Sequence, residues 1–151
     1  MSSLFYNREI FNDDIGDWNV SNVVNMSNLF NSCATFNKSL NQWDVSKVKT
    51  MHGMFSSCYI YNKPMDKWDV SNVIDMKFMF YGTVCFKQDL SNWNTSNVIN
   101  MSGMFLDSGF DKSVEDWNID NTQNITKMFN DDYECNRSKY SLLYNNRCCI
   151  N

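Results

Sequence analysis

Proline is nearly missing from this chain: one occurs in 151 residues, beside five glycines and one histidine. That composition excludes a collagen-like segment, a Pro-rich tract and a Gly-rich linker. Basic charge is short as well. The formal net charge is −4, the pI is about 4.8 and no long run of like charges occurs, which excludes the electrostatic footprint of a nucleic-acid or anionic-lipid binder. No run of about 18 apolar residues is present to span a membrane. The opening MSSLFYNREIFND has no charged segment followed by an apolar one, so no secretory leader is read there. The six cysteines, Cys33, Cys58, Cys85, Cys135, Cys148 and Cys149, are therefore expected to be reduced thiols in a cytosol-like compartment.

What the chain does have is one phrase in five versions. Tryptophans fall at Trp18, Trp43, Trp68, Trp93 and Trp117, spaced by 25, 25, 25 and 24 residues. Seven positions before each stands an aromatic: Phe11, Phe36, Tyr61, Phe86 and Phe110. Three before it stand Ile15, Leu40, Met65, Leu90 and Val114. After it come Val20, Val45, Val70, Thr95 and Ile119, then a Ser that becomes Asp120 in the last copy. Each copy closes on Met26, Met51, Met76, Met101 or Ile125 and then on Phe30, Phe55, Phe80, Phe105 or Phe129. The phrase also reaches both ends: MSSLF at the start matches MSNLF at Met26, and CNRSKYSLLYNN from Cys135 can be laid over FNKSLNQWDVSK from Phe36.

Apolar residues at 5, 8, 11 and 12 positions after the Trp make the stripe of an amphipathic helix, with the preceding Ser as its N-cap. The short segment before the Trp, such as KSLNQ, reads as a brief strand. Stacking such units would bury both faces in one core, which explains the repetition. Asn12, Asn37 and Asn62, and Asn22, Asn72, Asn97 and Asn121, recur at fixed positions and are expected to hydrogen-bond from coil to coil.

The phrases FNKSLNQWDVSKVKTMHGMF, YNKPMDKWDVSNVIDMKFMF and FKQDLSNWNTSNVINMSGMF resemble the 25-residue repeats of the BspA-like leucine-rich-repeat class. That repeat type is found in mycoplasma-type surface lipoproteins and in some large DNA viruses. The resemblance implies an α/β fold, a right-handed leucine-rich-repeat-like solenoid of about five strand-turn-helix coils. It also implies a role in protein contact or adhesion and no catalytic residues. The organisation expected is a partial repeat over 1–10, the repeats over 11–130 and a capping tail over 131–151. An intracellular setting, host cytoplasm for a viral chain, is favoured over the cell surface.

Chemistry is sparse. His52 reads as a solvated residue beside Met51, Cys33 and Cys58 as small buried fillers, and the tail cysteines as thiols without a second ligand pair, so no catalytic, cofactor or metal site is expected. The surface carries the functional expectation instead. Outward positions beside each Trp, namely Asp17, Gln42, Asp66, Lys67, Asn92 and Asp116, form one candidate face for a protein partner. Phe78 and Tyr81 form another, because Phe78 stands where other copies have Asn28, Gly53, Gly103 and Lys127. The partial first repeat can cover only part of the face of Phe11, Ile15, Trp18 and Val23, so Leu4 and Phe5 within it are expected to support a weak two-fold homodimer. The overall reading is a non-enzymatic interaction or scaffold module, with a self-assembling structural protein or an adhesin fragment as the alternatives.

Overall fold

The computed structural model describes residues 1–130. The 25-residue period survives in it, and the expected elements do not. Residues 11–35, 36–60, 61–85, 86–109 and 110–130 form five coils stacked in parallel, and residues 1–7 lie against the first of them. Among the described residues there is no helix and no extended strand, only isolated parallel bridges linking Asn25, Thr50, Asp75, Asn100 and Asn124 in succession. The α/β leucine-rich-repeat solenoid of strand-turn-helix coils is therefore not the fold. These coils are built from turns.

In the coil running from Leu40 to Tyr61, the backbone N–H groups of Trp43, Val48, Met54, Ser56, Cys58 and Tyr61 each donate to the carbonyl three residues back. Alternate N–H groups leave the coil altogether. Met51, Gly53, Phe55 and Ser57 donate to Asp75, Lys77, Met79 and Tyr81 of the next coil at 2.7–2.9 Å. A helix needs every N–H to return four residues along its own chain. It also needs φ below zero, and here Asn28, Gly53, Phe78, Gly103 and Lys127 are left-handed, as are Ser32, Ser57, Gly82 and Asp107 four residues further on.

The helical stripe was a real burial pattern with a different cause. Met51, Met54, Phe55 and Cys58 all point inward and are fully buried. Their spacing of 3, 1 and 3 belongs to a four-residue turn repeat, which over two turns cannot be told from a 3.6-residue helix. The strand expected in KSLNQ is likewise a tight turn at Asn41 and Gln42, and the bridges fall instead inside the segment read as helix. Nor does the Ser side-chain oxygen accept the first N–H of a helix, since in Ser46 and Ser96 the hydroxyl donates to Asp44 and Asn94. Its own N–H is captured by the residue two before it, as Ser46 donates to Asp44 at 3.1 Å and Ser96 to Asn94 at 3.2 Å.

The core is a set of ladders. Phe5, Phe30, Phe55, Phe80, Phe105 and Phe129 stack with ring centroids 5.4–5.7 Å apart. Phe11, Phe36, Tyr61, Phe86 and Phe110 form a second column, and the two columns meet at 3.9–4.3 Å where each coil runs into the next. The expected Asn ladders are present. Asn12, Asn37 and Asn62 each accept a backbone N–H from the next coil at 3.0 Å, and Asn72, Asn97 and Asn121 donate to Ser46, Ser71 and Ser96 carbonyls. A coil of 24 residues is accommodated at Gly109, where a Cβ would collide with the Val84 carbonyl. The tail expected to cap the stack, with its cysteines and Leu142 to Tyr144, lies outside the described residues.

Candidate interaction surface

Each coil presents a left-handed residue ten positions after its Trp, and left-handed backbone is inexpensive only for Gly and, to a degree, Asn. Three coils obey: Asn28 at φ 54°, Gly53 at 59° and Gly103 at 61°. Phe78, at φ 55°, and Lys127, at 50°, do not, and of these two only Phe78 is bulky and aromatic. A bulky residue held there costs on the order of 1–3 kcal/mol, a kind of strain that clusters at ligand-contact sites. Its ring lies over Gly103 in the next coil, where any Cβ would collide with it.

Around this ring the stack opens a groove of about 420 Å³ lined by Asn28, Asn31, His52, Gly53, Ser56, Phe78, Tyr81 and Leu106. At Gly53, between Asn28 and Phe78 in the column, the Asn28 amide oxygen occupies the place a Cβ would take. Tyr81 meets Phe78 edge-on at 5.8 Å, His52 meets it edge-on at 6.3 Å, and the Lys77 ammonium sits 5.0 Å from its centroid. Phe78, Tyr81 and Leu106 are all half-buried, so apolar surface and polar amides face the same opening. The arrangement suits an apolar side chain flanked by peptide groups.

The other predicted face is a row of turn corners. Asp17, Gln42, Asp66, Lys67, Asn92 and Asp116 are all exposed, and none lines the groove. Part of the row is tied together: Asn41 donates to the Asp66 carboxylate at 2.9 Å, and Asn92 donates to the Asp66 carbonyl at 2.7 Å. The structure thus brings Phe78 and Tyr81 together and keeps them apart from the corner residues.

A family model described as "Mycoplasma protein of unknown function, DUF285" matches residues 1–83 and 60–146. The chain belongs to this family. No curated protein and no solved structure is significantly similar to it.

Of the cysteines of this DUF285 chain among the described residues, Cys85 is an exposed free thiol and the other two are buried. Cys33 and Cys58 are buried free thiols that donate to the carbonyls of Phe5 and Phe30, both at 3.0 Å. Burial pushes the Cys33 thiol up to about 11 and the Cys58 thiol well above the ordinary range, which leaves both protonated and poorly nucleophilic. His52 Nδ1 faces Asp75 at 4.0 Å, and no group of three metal-ligating side chains occurs among the described residues. Among those residues no helix is long and apolar enough to cross a membrane.

Leu4 is 53% exposed, while Phe5 is half-buried between Phe11 and Phe30. Beside them lies the first-coil face expected to be only partly covered. Trp18 is 44% exposed, whereas Trp43, Trp68, Trp93 and Trp117 are buried to 4% or less.

Proposed function

We propose that this chain is a non-enzymatic module that holds protein partners, with the groove at Phe78 and Tyr81 as its contact. The observation that carries the reading is Phe78 itself: an aromatic ring placed on left-handed backbone and left half-exposed serves neither local conformation nor the core. The acidic balance and the protonated, buried Cys33 and Cys58 support contact rather than chemistry or nucleic-acid binding. Membership of a family of repeat-bearing mycoplasma proteins, and the likeness of its phrase to BspA-like surface repeats, support it further.

The test compares immobilised wild-type chain with Phe78→Asn, which installs the residue of the Asn28 position, and with Asn92→Ala at the corner row. Proteins from the native source retained by the wild type and by Asn92→Ala, and lost from Phe78→Asn, are the expected result. Equal retention by all three, with unchanged melting, would remove the groove from the reading. A second reading, self-assembly into a larger structure, is favoured by one specific observation, the exposed Trp18 edge.

A further inference from the structure

Coil stacking in this molecule is directional. Indole N–H groups of Trp43, Trp68, Trp93 and Trp117 donate back to the carbonyls of Ile15, Leu40, Met65 and Leu90 at 2.9–3.2 Å. Backbone N–H groups of Lys49, Ile74, Ile99 and Gln123 donate back to Val24, Lys49, Ile74 and Ile99 at 2.8–2.9 Å. Those of Asn37, Asn62 and Lys87 donate back to the side-chain oxygens of Asn12, Asn37 and Asn62. The matching donors of the first coil are Trp18 Nε1 and the N–H groups of Val24 and Asn12. None of the three has a hydrogen-bond partner among the described residues.

Residues 1–7 cover the other half of that coil, where Ser3, Phe5 and Asn7 donate to Ser27, Leu29 and Asn31. The open half is therefore a strip of three donors beside apolar Trp18 and Val23. Its complement is a strip of acceptors in the repeat's own register. A two-fold contact between two such edges would set donor against donor, which favours a heterologous contact over an isologous one.

We propose that this edge takes the C-terminal repeat of a second copy, residues 135–146, joining copies head to tail; the inference rests on the self-assembly reading. The chain beyond residue 130 carries the register required. Cys135 stands 25 residues after Phe110, Leu142 the same distance after Trp117 and Tyr144 after Ile119, and the family match runs through residue 146. Those are the positions, from the aromatic column through the Trp, that residues 1–7 leave uncovered. Addition of an acceptor edge to an unpaired donor edge is how sheets recruit partners, and here the interface is the one already repeated between the coils.

Sedimentation of the full chain over a range of concentrations tests it, with Trp18→Asp blocking the head and Leu142→Asp the tail. Wild type should grow in mass without stopping at two copies. Each variant alone should be monomeric, and an equimolar mixture should give one-to-one dimers and nothing larger. Val24→Pro, which deletes one donor, supplies a second head variant, and tryptophan circular dichroism confirms that each chain is folded. A wild type monomeric at high micromolar concentration overturns both the inference and the self-assembly reading. Folded Leu142→Asp that still dimerises, while Trp18→Asp does not, overturns the head-to-tail contact and leaves self-assembly standing.

Discussion

Trp68 reaches back one coil and donates its indole N–H to the carbonyl of Leu40 at 2.9 Å. The same ring stacks on Trp93 at 6.4 Å, so it fills space between two coils and fixes their spacing. Trp68→Ala should cost about 3–5 kcal/mol, the range for deleting a large buried aromatic. Trp18→Ala, at an exposed edge, should cost less than half as much. Urea midpoints of the two variants check the contrast, and equal losses would show that the first coil is covered in solution.

Tyr61 occupies the column held by Phe11, Phe36, Phe86 and Phe110, and its hydroxyl is buried without a hydrogen-bond partner. Burial without a partner costs the hydroxyl its hydration, about 1–3 kcal/mol. Tyr61→Phe removes the oxygen and keeps the ring, so stability should rise by on the order of 1 kcal/mol. A melting temperature above wild type is expected; a fall would mean that a bound water satisfies the hydroxyl.

The inward residues were legible in the sequence because burial depends only on which side chains repeat. Met51, Met54 and Phe55 were placed in the core and are there. The backbone was not legible, because a four-residue turn repeat and a helix share that spacing. Non-glycine residues at the left-handed positions, Ser32, Ser57 and Phe78 among them, hid the signal that glycine alone would have given. One clue was present and unread: the Asn or Asp directly after each of the five tryptophans, at Asn19, Asp44, Asp69, Asn94 and Asn118, is the mark of an Asx turn rather than of a helix entry. The Phe78 and Tyr81 cluster was found because a single copy departed from its column. The open edge at Trp18 was legible too, as part of the face of Phe11, Ile15, Trp18 and Val23 that a partial repeat covers only in part.

Cys33 and Cys58 bear on alkaline stability. Burial raises both thiols, Cys33 to about 11, above the ordinary range of an unfolded thiol. A group raised in the folded state stabilises fully below its unfolded pKa, and that stability is lost as pH rises through the folded value. Melting temperature should therefore decline from about pH 9 upward, as the thiols of the unfolded chain ionise. The Cys33→Thr/Cys58→Thr chain should decline less. Thr is the residue of the equivalent position Thr83, whose hydroxyl donates to the Phe55 carbonyl at 2.9 Å. Identical alkaline limbs would mean that the buried thiols do not contribute.

Gly109 closes the one coil that is a residue short. Cys58 and Tyr61 are separated by a turn at Tyr59 and Ile60, whereas Ser108 and Phe110 have only Gly109 between them. The backbone there runs against the preceding coil: Gly109 donates to the Thr83 carbonyl at 3.2 Å, and a Cβ would collide with the Val84 carbonyl. Backbone cannot yield as a flexible side chain would, so Gly109→Ala forces two coils apart and should cost about 1–3 kcal/mol. Gly82→Ala makes the informative comparison. Its Cβ meets Ser57 only at ordinary contact distance, but its φ of 65° strains any side chain, so its loss would report conformation and not collision. Inserting one residue after Ser108 in the Gly109→Ala chain restores the 25-residue length and should recover part of the lost stability, read as the urea midpoint. No recovery would show that the defect lies in the Gly109 conformation rather than in the missing length.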